Sequence, residues 1–280
     1  MYTIAMHQCR GRARLTGTVF FLALTCALPV CGSTLYIMPL GDSITEGDTE
    51  NYYDPAPGGY RNNLYADLTA AGIQVQFEGS SNSNPSPLLT ANNETSHEGH
   101  SGYLIEGEPW ASAPGGFLPG LYENINTWFS EVPVLPNIVL LMIGTNDFAY
   151  GVDVADAPAR LGALLDEITA DDPNGLIILS TLIYTAYPSL NAEIDTYNAA
   201  MYGLAATRPN VVVVNNTNIL SYPNDYDDGL HPTSTGYNLL GDAFASEIEG
   251  VLAPEPASLW FAGIGLGLLH WRMRARRGRA

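Results

Sequence analysis

Four residues of this chain have the types and the positions that nucleophilic chemistry needs. Ser43 lies in a Gly-Asp-Ser motif directly after the apolar stretch 35–40, so we expect it where a buried strand ends and a loop begins. Asp228 and His231 lie three residues apart in one turn, which lets the carboxylate reach a ring nitrogen. A serine hydroxyl becomes a strong nucleophile when a neighbouring base, held in one tautomer, takes its proton. These residues therefore predict a Ser-His-Asp triad.

The fourth residue is Asn146, in the sequence Gly-Thr-Asn-Asp that follows a second apolar stretch, 138–143. At the end of a strand its side-chain amide can point at an oxyanion formed on Ser43. Its alternative role is that of a turn residue. Each motif alone is weak evidence, since a serine after Gly-Asp is more often a helix cap or a turn residue. Their order along the chain, Ser, Asn, Asp, His, favours the catalytic interpretation.

From about residue 35 to residue 250 these motifs make the chain resemble the SGNH (GDSL-type) hydrolase superfamily. The resemblance implies that Ser43, Asp228 and His231 are catalytic. It also implies an oxyanion hole built from Ser43, Gly102 and Asn146, with Gly102 as the best candidate for the glycine of the second block. The runs 58–61, 77–80 and 97–103 are similar to the acetylxylan-esterase-like branch of the carbohydrate esterases, although Tyr103 replaces the tryptophan usual there.

Apolar and β-branched stretches alternate with apolar stripes at helical spacing along the body of the chain. Strands are predicted at 35–40, 74–78, 138–143, 176–182 and 211–215, and helices around 64–68, 161–168, 190–204 and 237–248. This alternation predicts a three-layer α/β/α fold. The family resemblance implies a flavodoxin-like five-stranded parallel sheet. Residues 79–121 are rich in Ser, Asn, Gly and Pro and are predicted to form a long functional or mobile loop.

The two ends of the chain differ from the body and predict three segments. Residues 1–32 carry three arginines and then an apolar run, which is typical of a secretory signal peptide, with a membrane anchor or a lipoprotein signal as alternatives. All three cysteines lie in this segment, so we expect no disulfide in the mature protein. Residues 33–252 are the hydrolase domain. Residues 253–280 resemble a PEP-CTERM sorting signal, with Pro-Glu-Pro, a short transmembrane segment and five arginines; an ordinary C-terminal anchor is the alternative.

The net charge of −18 understates how acidic the body is. Residues 33–253 contain three basic residues, all arginines, and 28 acidic ones, a formal charge of −25. Such a field repels polyanions, so a nucleic-acid partner is excluded. Two metal sites are weaker hypotheses: calcium at Asp225, Asp227 and Asp228, and a metal ion at His97 and His100. We expect neither a metal nor an organic cofactor.

These features predict an exported serine esterase that removes small acyl groups, with acetyl favoured, from a polysaccharide. A lipase, lysophospholipase or thioesterase of the same fold is one alternative, and a non-catalytic envelope or matrix protein is another. The expected partners are the ester substrate, a signal peptidase and an exosortase-type processing enzyme, with transient membrane insertion through the tail. The expected location is the cell envelope, outer surface or extracellular matrix of a Gram-negative bacterium.

Overall fold

The computed structural model describes residues 33–48 and 56–253. The predicted signal peptide and nearly all of the predicted sorting tail lie outside these residues. Within the described ranges no helix combines the length and apolarity that crossing a bilayer requires.

The described residues form eight strands, eight α-helices and one short 3-10 helix, Pro114–Gly116. The strands are β1 (Leu35–Gly41), β2 (Val75–Phe77), β3 (Glu98–Gly99), β4 (Glu108–Pro109), β5 (Phe117–Leu118), β6 (Ile138–Met142), β7 (Leu176–Ser180) and β8 (Val211–Val214). The helices are α1 (Ser43–Glu46), α2 (Gly59–Ala70), α3 (Pro87–Asn92), α4 (Ile125–Glu131), α5 (Thr145–Tyr150), α6 (Ala157–Asp171), α7 (Pro188–Ala205) and α8 (Ser234–Leu252).

A parallel sheet in the order β2-β1-β6-β7-β8 forms the middle layer. All five strands predicted from the apolar stretches are present, and their order confirms the flavodoxin-like arrangement. The sheet has a sixth strand that was not predicted, the two-residue β3, which pairs with β1. Every residue of β6 is buried, as expected for a central strand covered by helices on both faces. The three-layer α/β/α prediction is therefore confirmed.

Helices α2 and α8 pack closely against each other. A Cβ on Gly241 of α8 would come within 2.9 Å of backbone atoms of Tyr60 and Leu64, so glycine permits this approach. The ring of Tyr60 then packs 4.9 Å from the ring of Phe244, centre to centre. Helix α8 begins just after His231 in sequence, so this packing fixes the start of the segment that follows the histidine.

The segment 79–121 is more ordered than its composition predicts. Helix α3 begins after Ser86, whose hydroxyl accepts a hydrogen bond from the Leu89 amide at 3.1 Å, and Pro87 occupies its first turn. Strand β3 pairs with β1 next to the position of β2, through Leu40–Glu98 and Gly41–Gly99. This pairing brings the residues after Gly99 beside the end of β1.

Candidate active site

Three side chains form a continuous chain of hydrogen bonds where β1 ends. The Oγ atom of Ser43 lies 2.9 Å from Nε2 of His231, and Nδ1 of His231 lies 2.7 Å from Oδ2 of Asp228. A carboxylate only accepts, so Nδ1 carries the proton and the unprotonated Nε2 can accept from the serine hydroxyl. The structure thus brings the three predicted triad residues together in the tautomer that a general base requires.

The nucleophile turn is built from the residues around Ser43. Oδ1 of Asp42 accepts a hydrogen bond from the Ile44 amide at 3.0 Å and caps α1, whose first residue is Ser43. A Cβ on Gly41 would collide with the Met142 carbonyl oxygen, so glycine is needed for β1 to lie this close to β6. Ser43 is therefore held rigidly at the junction of a strand and a helix.

Asp228 is held in its ionised form by the turn that it begins. Its Oδ1 accepts from the backbone amides of Leu230 at 2.8 Å and His231 at 2.7 Å. Burial opposes ionisation, but hydrogen bonds from the His231 ring and from these two amides outweigh it and lower the pKa of Asp228. Gly229 has a φ of 90°, and its carbonyl accepts from the Ala186 amide at 2.8 Å, which anchors the turn.

Asn146 and Gly102 lie on neighbouring parts of the site. Nδ2 of Asn146 donates to the Tyr103 carbonyl at 2.9 Å. The Tyr103 amide donates to the His100 carbonyl at 3.2 Å and closes a turn in which Gly102 has a φ of 80°. A Cβ on Gly102 would meet no atom within 4 Å, so its backbone conformation rather than space calls for glycine, and the turn borders an open volume. Their roles as oxyanion donors stay predictions.

Arg61 lies beside the nucleophile turn, and no role was predicted for it from the sequence. Its side chain is fully buried and donates to four backbone carbonyls, those of Thr45 (3.2 Å), Glu46 (3.1 Å), Thr95 (3.3 Å) and Ser83 (3.5 Å). Burial lowers the pKa of Arg61 to about 10, although its electrostatic interactions with Tyr60 and Glu46 act to raise it. Arg61 thereby joins the nucleophile turn to the segment that leads to Gly102.

A buried ion pair supports the other side of the site. Oδ1 of Asp147 lies 2.8 Å from Arg160, and Oδ2 accepts from the Ile105 amide at 3.1 Å. Burial raises the pKa of Asp147 to about 6, although its hydrogen bond with Arg160 acts in the opposite direction. Arg160 also donates to the Val152 and Asp153 carbonyls, both at 3.1 Å. The residue after Asn146 thus fixes the end of the turn that carries Gly102.

Both histidines of the metal alternative already have hydrogen-bond partners. Nδ1 of His97 accepts from the Gly99 amide at 2.9 Å, and Nε2 lies 3.0 Å from the Ser83 carbonyl, which requires a proton on Nε2. Burial lowers the pKa of His97 to about 3, so this ring stays neutral. Nε2 of His100 lies 2.8 Å from Glu98, and its ring stacks on Trp128 at 4.3 Å. Across residues 33–48 and 56–253, no three histidine, cysteine or acidic side chains converge as metal ligands.

Asp42 should make stability depend on pH. Burial raises the pKa of Asp42 from 3.8 to about 6. The hydrogen bond from the Ile44 amide and the electrostatic interaction with His231 act to lower it, but burial outweighs them. The folded protein then keeps a proton that the unfolded chain releases between about pH 4 and 6, so the free energy of unfolding falls as pH rises through this window.

An Asp42→Asn variant cannot ionise, while its Oδ1 can still accept from the Ile44 amide. We expect the unfolding free energy of the wild type, relative to this variant, to fall by about 2–3 kcal/mol between about pH 4 and pH 7. Urea denaturation of both proteins across this range measures the difference. A difference that does not change with pH would contradict the raised pKa of Asp42.

A flavodoxin-like parallel sheet with a Ser-His-Asp chain at the end of its first strand defines the class of SGNH-fold hydrolases. Residues 40–239 match the family model described as the GDSL-like Lipase/Acylhydrolase family. The chain belongs to this family.

Two relatives with about 30% identity are esterases by name. The chain is 31% identical over 248 residues to a multidomain esterase of Ruminococcus flavefaciens; the match covers 80% of this chain and 30% of that protein. It is 30% identical to a Clostridium thermocellum family 3 carbohydrate esterase, with a TM-score of 0.61 and coverage of 79% of this chain and 100% of that one. A Talaromyces cellulolyticus family 3 carbohydrate esterase shares the fold at 24% identity, with a TM-score of 0.60 and coverage of 78% and 97%.

Proposed function

We propose that this protein is an exported serine esterase that removes small acyl groups, above all acetyl, from a polysaccharide. The observation that carries the proposal is the hydrogen-bonded chain Ser43–His231–Asp228. Membership of the GDSL-like family and the carbohydrate esterases among its relatives support the ester and the carbohydrate parts of the proposal.

The proposed reaction proceeds through an acyl-enzyme. His231 takes the proton of Ser43 as the oxygen attacks the ester carbonyl, and the backbone amides of Ser43 and Gly102 with the Asn146 side chain stabilise the oxyanion. His231 then protonates the departing alcohol, and the acyl group stays on Ser43. In the second half, His231 takes a proton from water, the water oxygen attacks the acyl carbon, and the carboxylic acid leaves as Ser43 regains its proton. Asp228 stabilises the imidazolium in both halves.

The surface charge favours a neutral carbohydrate over an anionic lipid headgroup. The chain contains no lysine. In the part of the chain that the structure describes, Arg61 and Arg160 are buried in the contacts given above, and Arg208 pairs with Asp166 at 2.7 Å. The described residues therefore offer a phosphate no unengaged arginine, which argues against lysophospholipids and other anionic esters.

A substrate panel tests the proposal. We expect acetate release from acetylated xylan and faster turnover of 4-nitrophenyl acetate than of its long-chain esters. Faster turnover of long-chain esters or of lysophospholipid would favour the lipase alternative. The absence of any hydrolysis that depends on Ser43 would favour a non-catalytic envelope protein.

We also propose that residues 1–32 direct export and that residues 253–280 direct sorting to the envelope and are removed afterwards. The five arginines after the apolar run support this, because arginines that flank an apolar segment favour the cytoplasmic side of a membrane. The intact mass of the protein from the native envelope should lack both segments. A mass that includes the five C-terminal arginines would instead indicate a permanent anchor.

A further inference from the structure

The turn that carries Gly102 is held from both sides by the two motifs that carry Ser43 and Asn146. On the side of Ser43, the His100 amide donates to the Gly41 carbonyl at 3.0 Å, and the Ser101 amide donates to a side chain of the nucleophile helix. On the other side, Asn146 donates to the Tyr103 carbonyl at 2.9 Å. The turn is therefore held before and after Gly102, through the His100 and Ser101 amides and the Tyr103 carbonyl, by the elements that carry the reacting groups.

The side chain that holds the Ser101 amide is Glu46, the last residue of α1. Its Oε2 accepts from that amide at 3.0 Å, and its Oε1 accepts from the Ser83 hydroxyl at 2.6 Å. Its own backbone carbonyl accepts from Arg61 at 3.1 Å, so the helix end cannot shift freely. Glu46 is half-buried, and both carboxylate oxygens are engaged.

Gly99 explains why the Glu46 carboxylate lies close enough to accept from the Ser101 amide. A Cβ at this position would collide with the backbone of Thr45 and Glu46, so the strand that enters the turn lies directly against the nucleophile helix. The Glu46 carboxylate therefore spans a gap set by backbone packing. A shorter side chain would not reach the same amide.

From this geometry we propose that Glu46 is a positioning residue that orients the Gly102 amide toward the oxyanion on Ser43. The inference rests on the proposed esterase function and extends it to a residue that does not touch the substrate. Oxyanion donors act only when they are aimed at the developing charge, so loosening one side of the turn weakens transition-state binding more than substrate binding. Loss of Glu46 should therefore lower kcat and leave KM nearly unchanged.

Three substitutions of Glu46 test the inference on the full-length protein with 4-nitrophenyl acetate. Glu46→Ala removes the acceptor, and Glu46→Asp is too short to reach Ser101. Each should lower kcat about 10- to 100-fold, less than the loss of a whole donor, with KM within about twofold of wild type. Glu46→Gln keeps an oxygen for the Ser101 amide and an amide group that can face the Ser83 hydroxyl, so it should retain at least about half of kcat.

Glu123→Ala is the matched control, because both oxygens of Glu123 accept from one loop amide, that of Gly107, at 3.0 and 3.1 Å. It should lose stability comparable to Glu46→Ala while keeping kcat. Hydrogen exchange at the Ser101 amide gives a measurement that does not depend on enzymatic activity. The exchange should accelerate in Glu46→Ala and not in Glu123→Ala. If Glu46→Ala unfolds, the pair Glu46→Asp and Glu46→Gln carries the comparison.

The inference fails if folded Glu46→Ala or Glu46→Asp keeps kcat within about twofold of wild type, if Glu46→Gln is as slow as Glu46→Ala, or if Glu123→Ala is equally slow. It also fails if the Ser101 amide exchanges equally fast in wild type and Glu46→Ala. A wild type without Ser43-dependent turnover is a different result: it overturns the proposed function, and the catalytic role of Glu46 falls with it.

Discussion

Replacing Ser43 with alanine should reduce ester turnover on the order of 10⁶-fold, the scale seen when a triad nucleophile is lost. The reason is the 2.9 Å contact between the Ser43 hydroxyl and Nε2 of His231: without the hydroxyl, the base has no proton to take and no acyl-enzyme forms. Residual catalysis would come from the oxyanion donors and from substrate binding alone. Initial rates with 4-nitrophenyl acetate measure the loss, and His231→Ala should match it because the two residues act as one unit.

Ser130→Ala is the control for this experiment. The Ser130 hydroxyl lies on α4 and donates to the Thr127 carbonyl of its own helix at 2.7 Å, so its removal should leave turnover unchanged. A folded Ser43→Ala protein with turnover within tenfold of wild type would show that another group is the nucleophile.

The sheet was predictable from sequence because burial on both faces requires unbroken apolar stretches. The run 138–143 predicted β6 to within one residue, and its observed strand is buried throughout. Strand β3 carries no such signal. It has two residues, Glu98 and Gly99, and its pairing with β1 depends on close backbone approach rather than on apolar side chains. Short elements of this kind are set by tertiary contacts, which one sequence read alone does not contain.

The triad was predictable because its residues sit in short motifs whose chemistry is local. The supporting residues were not, since Glu46, Arg61 and Asp147 act on backbone groups far away in the sequence, such as the Ser101 and Ile105 amides. One signal did exist. The body of charge −25 contains only three arginines, and two of the three are buried beside the site.

Asp228→Asn should lower turnover about 10⁴-fold without displacing His231, the effect known for a triad whose aspartate becomes asparagine. An asparagine oxygen can still accept from the Leu230 and His231 amides, which now bond to Oδ1 of Asp228 at 2.8 and 2.7 Å. Its NH₂ group would then face Nδ1 of His231 at the position of the present 2.7 Å contact with Oδ2. Two donors cannot share that contact, so Nδ1 must become an acceptor and the proton must move to Nε2. In that tautomer His231 cannot accept the Ser43 proton.

Asp225→Asn is the matched control, because Asp225 lies in the same segment and accepts from the Ser221 amide at 2.8 Å through Oδ2. An asparagine oxygen can keep that bond, and no ring nitrogen depends on it, so turnover should stay near wild type. The same tautomer argument predicts that the kcat values of the two variants differ by about four orders of magnitude, and urea denaturation checks that both variants are folded. If Asp228→Asn kept most of the wild-type turnover, the carboxylate would not be setting the tautomer of His231, and the Ser43–His231 contact alone would have to account for the base.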